Sequence, residues 1–440
     1  MTPRRMILRW PVVLVLSGAV AAGTSAETLT DAWALALQQD HSLAAARHQA
    51  EAAGFEAQAA RAQRWPTVAV GGSYTQLDDS PAFDFAFTGL PLTPPELFED
   101  DKYVMGSASL TLPLFTSGRI SSSIAAAEAR ERGVGAQVTA VTADVKLAVA
   151  DSYVEVLRAR KAHGVATSNV QTLEALTRDT TSMFERELVP KNELLAVQVA
   201  LADARQNELR AANAAAVAAA AYNRRLGTPL DRPVELSETL AVPVELAQDL
   251  PALVEQAKSR RTELAAFDAQ AEAYGQLART ERSRVLPQVA LSGGYQYLEN
   301  QFLDDETIGM AGIGVQWALF DGGQSRKRAA ALDRNRRATE QQRADASSQI
   351  ELQVRQAYLG IQESRQRVIV TAQAAEQADE NLRIARERYT AGLGTQTQLL
   401  QAESLRVQAL RNRDDASLDA GLAQRRLARG FARLTAFWLT

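Results

Sequence analysis

Leu112-Pro113-Leu114-Phe115-Thr116-Ser117-Gly118-Arg119 returns as Trp317-Ala318-Leu319-Phe320-Asp321-Gly322-Gly323-Gln324, so that Phe320 stands 205 residues after Phe115. The same offset holds for over a hundred residues. It carries Tyr153 to Tyr358, Val156 to Ile361, Leu188 to Leu393, Leu194-Leu195 to Leu399-Leu400, and the region of Leu226 to Phe431. Upstream, Trp65-Pro66-Thr67-Val68 matches Leu286-Pro287-Gln288-Val289 with an offset of 221, and the 16-residue difference falls inside one loop. The chain is therefore one supersecondary unit written twice, and each copy predicts the same elements.

The two copies span residues 27–247 and 248–440. Each reads helix, strand, loop, strand, very long helix, turn, return helix. The first helix runs from about Thr30 to Arg64 and is stopped by Pro66; its partner runs from Pro251 to Val285 and is stopped by Pro287. Strands are expected at about 67–77 and 103–115, and again at about 288–298 and 307–320. The long helices, about 119–186 and 324–389, hold no proline, and at 1.5 Å per residue each reaches about 100 Å. Return helices follow at about 190–226 and 395–430. In the second long helix Ile350, Val354, Ala357, Ile361, Ser364, Val368, Thr371 and Ala375 alternate steps of four and three, the spacing of a heptad seam. The return helices are alanine-rich, as in Ala211 to Ala221, which lets helices pack closely into a wall.

The strands carry period-two alternation that a coiled coil does not need. Val68, Val70 and Tyr74 alternate with Ala69, Gly71, Ser73 and Thr75; Val104, Ala108, Leu110 and Leu112 oppose Ser107, Ser109 and Thr111. In the second copy Val289, Leu291, Tyr295 and Tyr297 oppose Ala290, Ser292, Gly294 and Gln296, while Ile313, Val315, Trp317 and Leu319 share one face. The apolar face carries Tyr74, Tyr103, Tyr295, Tyr297 and Trp317 near its ends, the lipid-out, water-in division of an outer-membrane barrel. A half-buried soluble sheet shows the same alternation, so one strand alone says little, but four of them between helices of this length in a secreted chain favour the barrel. Four strands cannot close a barrel, since the smallest bacterial ones have about 8, and open edges do not persist in lipid. The chain must oligomerise; the strand count alone permits a dimer, trimer or tetramer.

The N-terminal end predicts export. Arg4, Arg5 and Arg9 precede the apolar stretch Trp10 to Ala22, and Thr24-Ser25-Ala26 offers small residues for cleavage, so residues 1–26 read as a signal peptide and the mature chain begins at Glu27. With 0 cysteines the chain carries neither a disulfide nor a lipid-modified cysteine. Cleavage removes three arginines and no acid, so 48 basic and 52 acidic residues become 45 and 52, a charge of about −7. That acidity argues against nucleic acid as a partner. The 3 histidines leave little for metal or acid-base chemistry, and His41 and His48 stand about 10 Å apart along one helix. Gly309-Met310-Ala311-Gly312-Ile313-Gly314 sits in a strand rather than opening a helix, so it is no phosphate loop. No enzyme, cofactor or metal is expected.

Over the whole mature chain these features resemble the TolC family. The resemblance rests on the duplicated architecture, the Leu-Pro-Leu-Phe-x-x-Gly and Ala-Leu-Phe-Asp-Gly-Gly junctions, and Tyr389-Thr390-Ala391-Gly392-Leu393-Gly394-Thr395 followed by Leu399-Leu400-x-Ala402. It implies a mixed membrane α/β fold, in which a homotrimer shares a twelve-stranded barrel in the outer membrane lipid and extends a helical tunnel into the periplasm. It also implies export of solutes in a tripartite efflux or type I secretion system, with a periplasmic adaptor and an inner-membrane pump of RND or ABC type. The tunnel end then lies at the turns about Glu185 to Lys191 and Thr390 to Gln396, with Leu188, Val189, Gly392, Leu393, Gly394 and Thr395 meeting the adaptor. Where the best-known member rings its narrowest point with two aspartates, this sequence has Gln398 and Gln401, implying an uncharged constriction. Tyr389 and Glu193 match positions whose hydrogen bond helps hold the end shut, with glutamate in place of aspartate. The first turn has Glu187 and Pro190 where Gly-Leu is usual. The competing expectation is a secreted coiled-coil spacer of the envelope that does not conduct.

The loops expected at the outer end are acidic: Asp78, Asp79, Asp84, Glu96, Glu99, Asp100 and Asp101 in one, Glu299, Asp304, Asp305 and Glu306 in the other.

Overall fold

The computed structural model describes residues 26–79, 98, 101–237, 249–300 and 304–430. The expected signal segment before Ala26 lies outside them, as do Asp84, Glu96, Glu99 and Asp100. The first copy holds α1 (Leu29–Gln39), α2 (His41–Ala62), β1 (Thr67–Gln76), β2 (Lys102–Phe115), α3 (Arg119–Glu185) and α4 (Lys191–Leu226). The second holds α5 (Leu250–Arg260), α6 (Thr262–Arg282), β3 (Gln288–Leu298), β4 (Thr307–Gln316), α7 (Gln324–Thr390) and α8 (Gln396–Gly430). Helices α3 and α7 are both 67 residues long and begin and end at equivalent positions of the two copies.

The repeated junction between sheet and long helix has a backbone reason. Gly118 and Gly323, at equivalent positions, precede the two helices with φ of 83° and 80°, and the residues before them, Ser117 and Gly322, are also left-handed. Two left-handed residues in succession turn the chain out of the sheet, and glycine takes that conformation without the Cβ clash. In the second copy the Asp321 carboxylate accepts the N–H groups of Gly323 and Ser325 at 2.9 and 2.8 Å, capping α7.

The expected single helices from Thr30 to Arg64 and from Pro251 to Val285 are each broken in two. Asp40 and Arg261, again at equivalent positions, are extended, with φ/ψ of −67°/119° and −69°/116°. Asp40 closes α1 through its N–H to the Ala36 carbonyl and opens α2 by accepting the Leu43 N–H at 2.9 Å. Neither break contains proline or glycine, so only the capping chemistry of Asp40 marks one of them in sequence.

The sheet is antiparallel in the order β1-β2-β3-β4, leaving one edge of β1 and one of β4 unpaired within the chain. Register places Val68, Leu110, Gly293 and Ala311 in one row and Val70, Ala108, Tyr295 and Gly309 in another, both on the apolar face. Val68, Val70, Tyr74, Tyr295, Ile313 and Val315 on that face are largely exposed. Gly294 answers a close approach, since a Cβ there would lie 2.3 Å from the Ala108 carbonyl oxygen. Two expectations are corrected. Tyr103 pairs with Thr75 on the small, polar face and stacks on Phe98, with ring centroids 4.3 Å apart. Strand β4 stops at Gln316, not 320, because its partner β3 starts at Gln288 after Pro287; Trp317 instead donates its indole N–H to the Val285 carbonyl at 3.1 Å.

Helix α3 lies against α2, α4, α6 and α8, and α7 lies against α5, α6 and α8. The heptad seam of α7 is buried at Ile350, Val354, Ile361, Ser364 and Ala375. At mid-length the core is anchored by Tyr153 and Tyr222, edge to face at 6.0 Å. The Tyr153 hydroxyl donates to the Glu27 and Ser237 carbonyls, at 3.0 and 2.7 Å, and the Tyr222 hydroxyl to the Glu27 carboxylate at 2.8 Å. Among the described residues no helix is long and apolar enough to cross a membrane.

Candidate tunnel end

The two helical hairpins, α3–α4 and α7–α8, turn in the same way. Leu188 donates its N–H to Met183 at 2.9 Å and Leu393 to Arg388 at 2.8 Å, each closing a Schellman motif. The left-handed position is Gly392 in the second turn, with φ of 73°, and Glu187 in the first, with φ of 59°. The departure at Glu187 thus keeps the turn's geometry while placing a side chain where glycine is favoured. Leu188 and Leu393 are 69% and 74% exposed, Val189 is half-buried, and Gly392 and Thr395 are exposed. Gly394 donates to the Arg388 carbonyl at 3.0 Å, and a Cβ there would meet the Arg388 Cβ at 3.2 Å.

Thr395 and Gln398 form a reciprocal capping box: the Gln398 N–H donates to the Thr395 hydroxyl at 3.3 Å, and the Thr395 N–H to the Gln398 side-chain oxygen at 3.2 Å. Gln398 and Gln401 are both exposed and lie about 60° apart around α8, on one face. Thr395-x-x-Gln398 is the sequence signature of that cap. Gln396 has no such signature, yet it is buried and donates to the Glu193 carbonyl at 2.8 Å, joining the two hairpins.

Tyr389 is buried among Leu382, Leu399, Ala402, Leu176 and Met183. Its hydroxyl faces the Thr180 hydroxyl and the Glu193 carboxylate, and burial pushes the phenol up, with the Glu193 and Asp179 charges adding to the effect. Tyr389 and Glu193 are thus brought together, yet neither the Tyr389 nor the Thr180 hydroxyl makes a hydrogen bond of normal geometry. The phenol stands in a space of about 120 Å³ between α3, α7 and α8.

Residues 33–228 and 253–431 match the family model described as outer membrane efflux protein. No curated protein matches the chain. In structure the chain is similar to the outer membrane protein VceC of Vibrio cholerae, with a TM-score of 0.78 at 19% identity over 92% of this chain and 96% of that one. It is similar to the CmeC outer membrane channel of Campylobacter jejuni, at 0.80 and 13% over 98% and 94%. It is also similar to the open state of the MtrE outer membrane channel of Neisseria gonorrhoeae, at 0.73 and 17% over 92% and 88%.

Proposed function

The chain belongs to the outer membrane efflux protein family, and from that membership we propose that three copies close one channel-tunnel, the exit duct of a tripartite efflux or type I secretion system. As a member of the family it is an outer-membrane channel that passes solutes from the periplasm outward, and its family and fold are those of transport proteins rather than enzymes. The observation that carries the shared barrel is the sheet, four strands with two unpaired edges and an apolar, exposed outer face; the number three comes from the family. In lipid each free edge costs the hydration of its N–H and C=O groups, so β4 of one copy must meet β1 of the next. A non-conducting spacer has no use for such a sheet.

The partners are a periplasmic adaptor and an inner-membrane pump of RND or ABC type. Leu188 and Leu393 support adaptor docking at the turns, because both hairpins carry an exposed leucine at the equivalent place of the tip, and three copies would gather six of them at one end. Gln398 and Gln401 form the constriction, and Tyr389, whose hydroxyl faces the Glu193 carboxylate, holds it closed when that hydrogen bond forms. Native mass spectrometry of detergent-solubilised protein is expected to show a trimer. A mainly monomeric or dimeric species, or release of the protein from membranes by carbonate without detergent, overturns the reading.

A further inference from the structure

The cavity beside Tyr389 holds a second titratable group that plays no part in the gate described above. Glu403 of α8 is 4% exposed, lines the cavity with Asp179, Arg386 and Tyr389, and accepts no hydrogen bond at either carboxylate oxygen. Arg406, one turn further along α8, approaches one of those oxygens only to 3.6 Å, while its guanidinium donates to Asp379 of α7 at 2.6 Å. The other charged groups around Glu403 are Arg386 of α7 and, across the cavity on α3, Asp179. An ionised carboxylate here gives up its water without full replacement, whereas a protonated one is neutral and can donate a hydrogen bond.

We propose that Glu403 is a proton-binding site that couples closure of the tunnel end to pH: with the proton bound α3, α7 and α8 stay packed, and its loss favours the dilated state in which water reaches the carboxylate. This rests on the reading of this end as the gate. Burial raises the Glu403 carboxyl above the ordinary carboxylate range, Arg406 and Arg386 oppose the shift, and Asp379 adds to it. A group whose pKa is raised in the packed state stabilises that state fully below its ordinary value, and the contribution is lost as pH rises through the raised one. Each unit of difference between packed and dilated states changes their ratio about tenfold. Histidine does not confuse the titration, because the nearest in sequence, His163, lies about 24 Å along α3 from Asp179.

Planar-bilayer conductance of the purified trimer, recorded from about pH 4.5 to 8.5, tests the proposal over the range in which a raised carboxyl titrates. The parent is expected to conduct severalfold more at the alkaline end, along a single titration, while E403Q stays at the low level throughout. A pH response in E403Q equal to the parent's overturns the proposal. The Tyr389→Phe, Glu193→Ala double variant separates the two readings: conductance raised at every pH upholds the gate, and conductance equal to the parent's removes the gate whatever E403Q does. Should E403Q fail to assemble, hydrogen exchange of the parent decides. After correction for intrinsic rates, protection at Thr180 and Tyr389 is expected to fall as pH rises, and pH-independent protection overturns the coupling.

Discussion

Glu187 occupies the position held by Gly392 in the other copy, with the same hand of backbone and the same closing hydrogen bond. A side chain in the left-handed region costs about 1–2 kcal/mol, part of which glycine's greater unfolded freedom offsets. Glu187→Gly is therefore expected to stabilise the first hairpin by about 1 kcal/mol, read as slower hydrogen exchange at Leu188 and Val189. Faster exchange would mean that the Glu187 side chain contributes more at this turn than its backbone strain costs. The comparison is available because the chain repeats itself: each copy supplies the control for the other. The same logic makes Tyr389 stand out, since Phe184 occupies the equivalent place in the first copy and carries no hydroxyl.

At the scale of elements, most of the architecture was legible because its signals are local and doubled. Proline after the first helices, glycine before the long ones and alternation in the strands each recur in both copies, so one weak signal confirms another. What escaped was set by partners rather than by the segment itself. Strand β4 reads on to Leu319 by pattern, but ends where β3 offers no further pairing. Tyr103 reads as an apolar-face residue by its chemistry, whereas register and the Phe98 ring place it on the other. The breaks at Asp40 and Arg261 escaped because helical periodicity continues across them. Of the two, only Asp40 has a side chain that caps, so Asp40→Ala is expected to destabilise the first break by about 1 kcal/mol. Arg261→Ala is expected to act through the loss of its bonds to Glu263 and Gln353, both at 3.0 Å, instead. Thermal unfolding in a Glu263→Gln background distinguishes them: the Asp40→Ala loss is expected to be unchanged there, and the Arg261→Ala loss to shrink because its ion pair is already gone. An Arg261→Ala loss equal in both backgrounds would remove the distinction.

For the whole molecule, the site was legible only in part, because the residues of the tunnel end are far apart in sequence and meet only once four helices are assembled. The turns and Tyr389 could be found by motif; Gln396 and Glu403 could not, since a glutamine or glutamate on a charged helix carries no sign of its burial. If Gln398 and Gln401 ring the narrowest passage of a trimer, replacing both with aspartate adds about six carboxylates around one water-filled passage of low effective dielectric, where charges interact more strongly than in bulk water. The capping box survives the change in kind, because an aspartate three residues after Thr395 still accepts at the helix start, so altered conductance is not a folding effect. Multivalent cations added on the periplasmic side of a planar bilayer are then expected to block the double-aspartate channel at concentrations that leave the parent nearly unaffected. Block of equal strength in both channels places Gln398 and Gln401 away from the passage, and the uncharged constriction has to be given up.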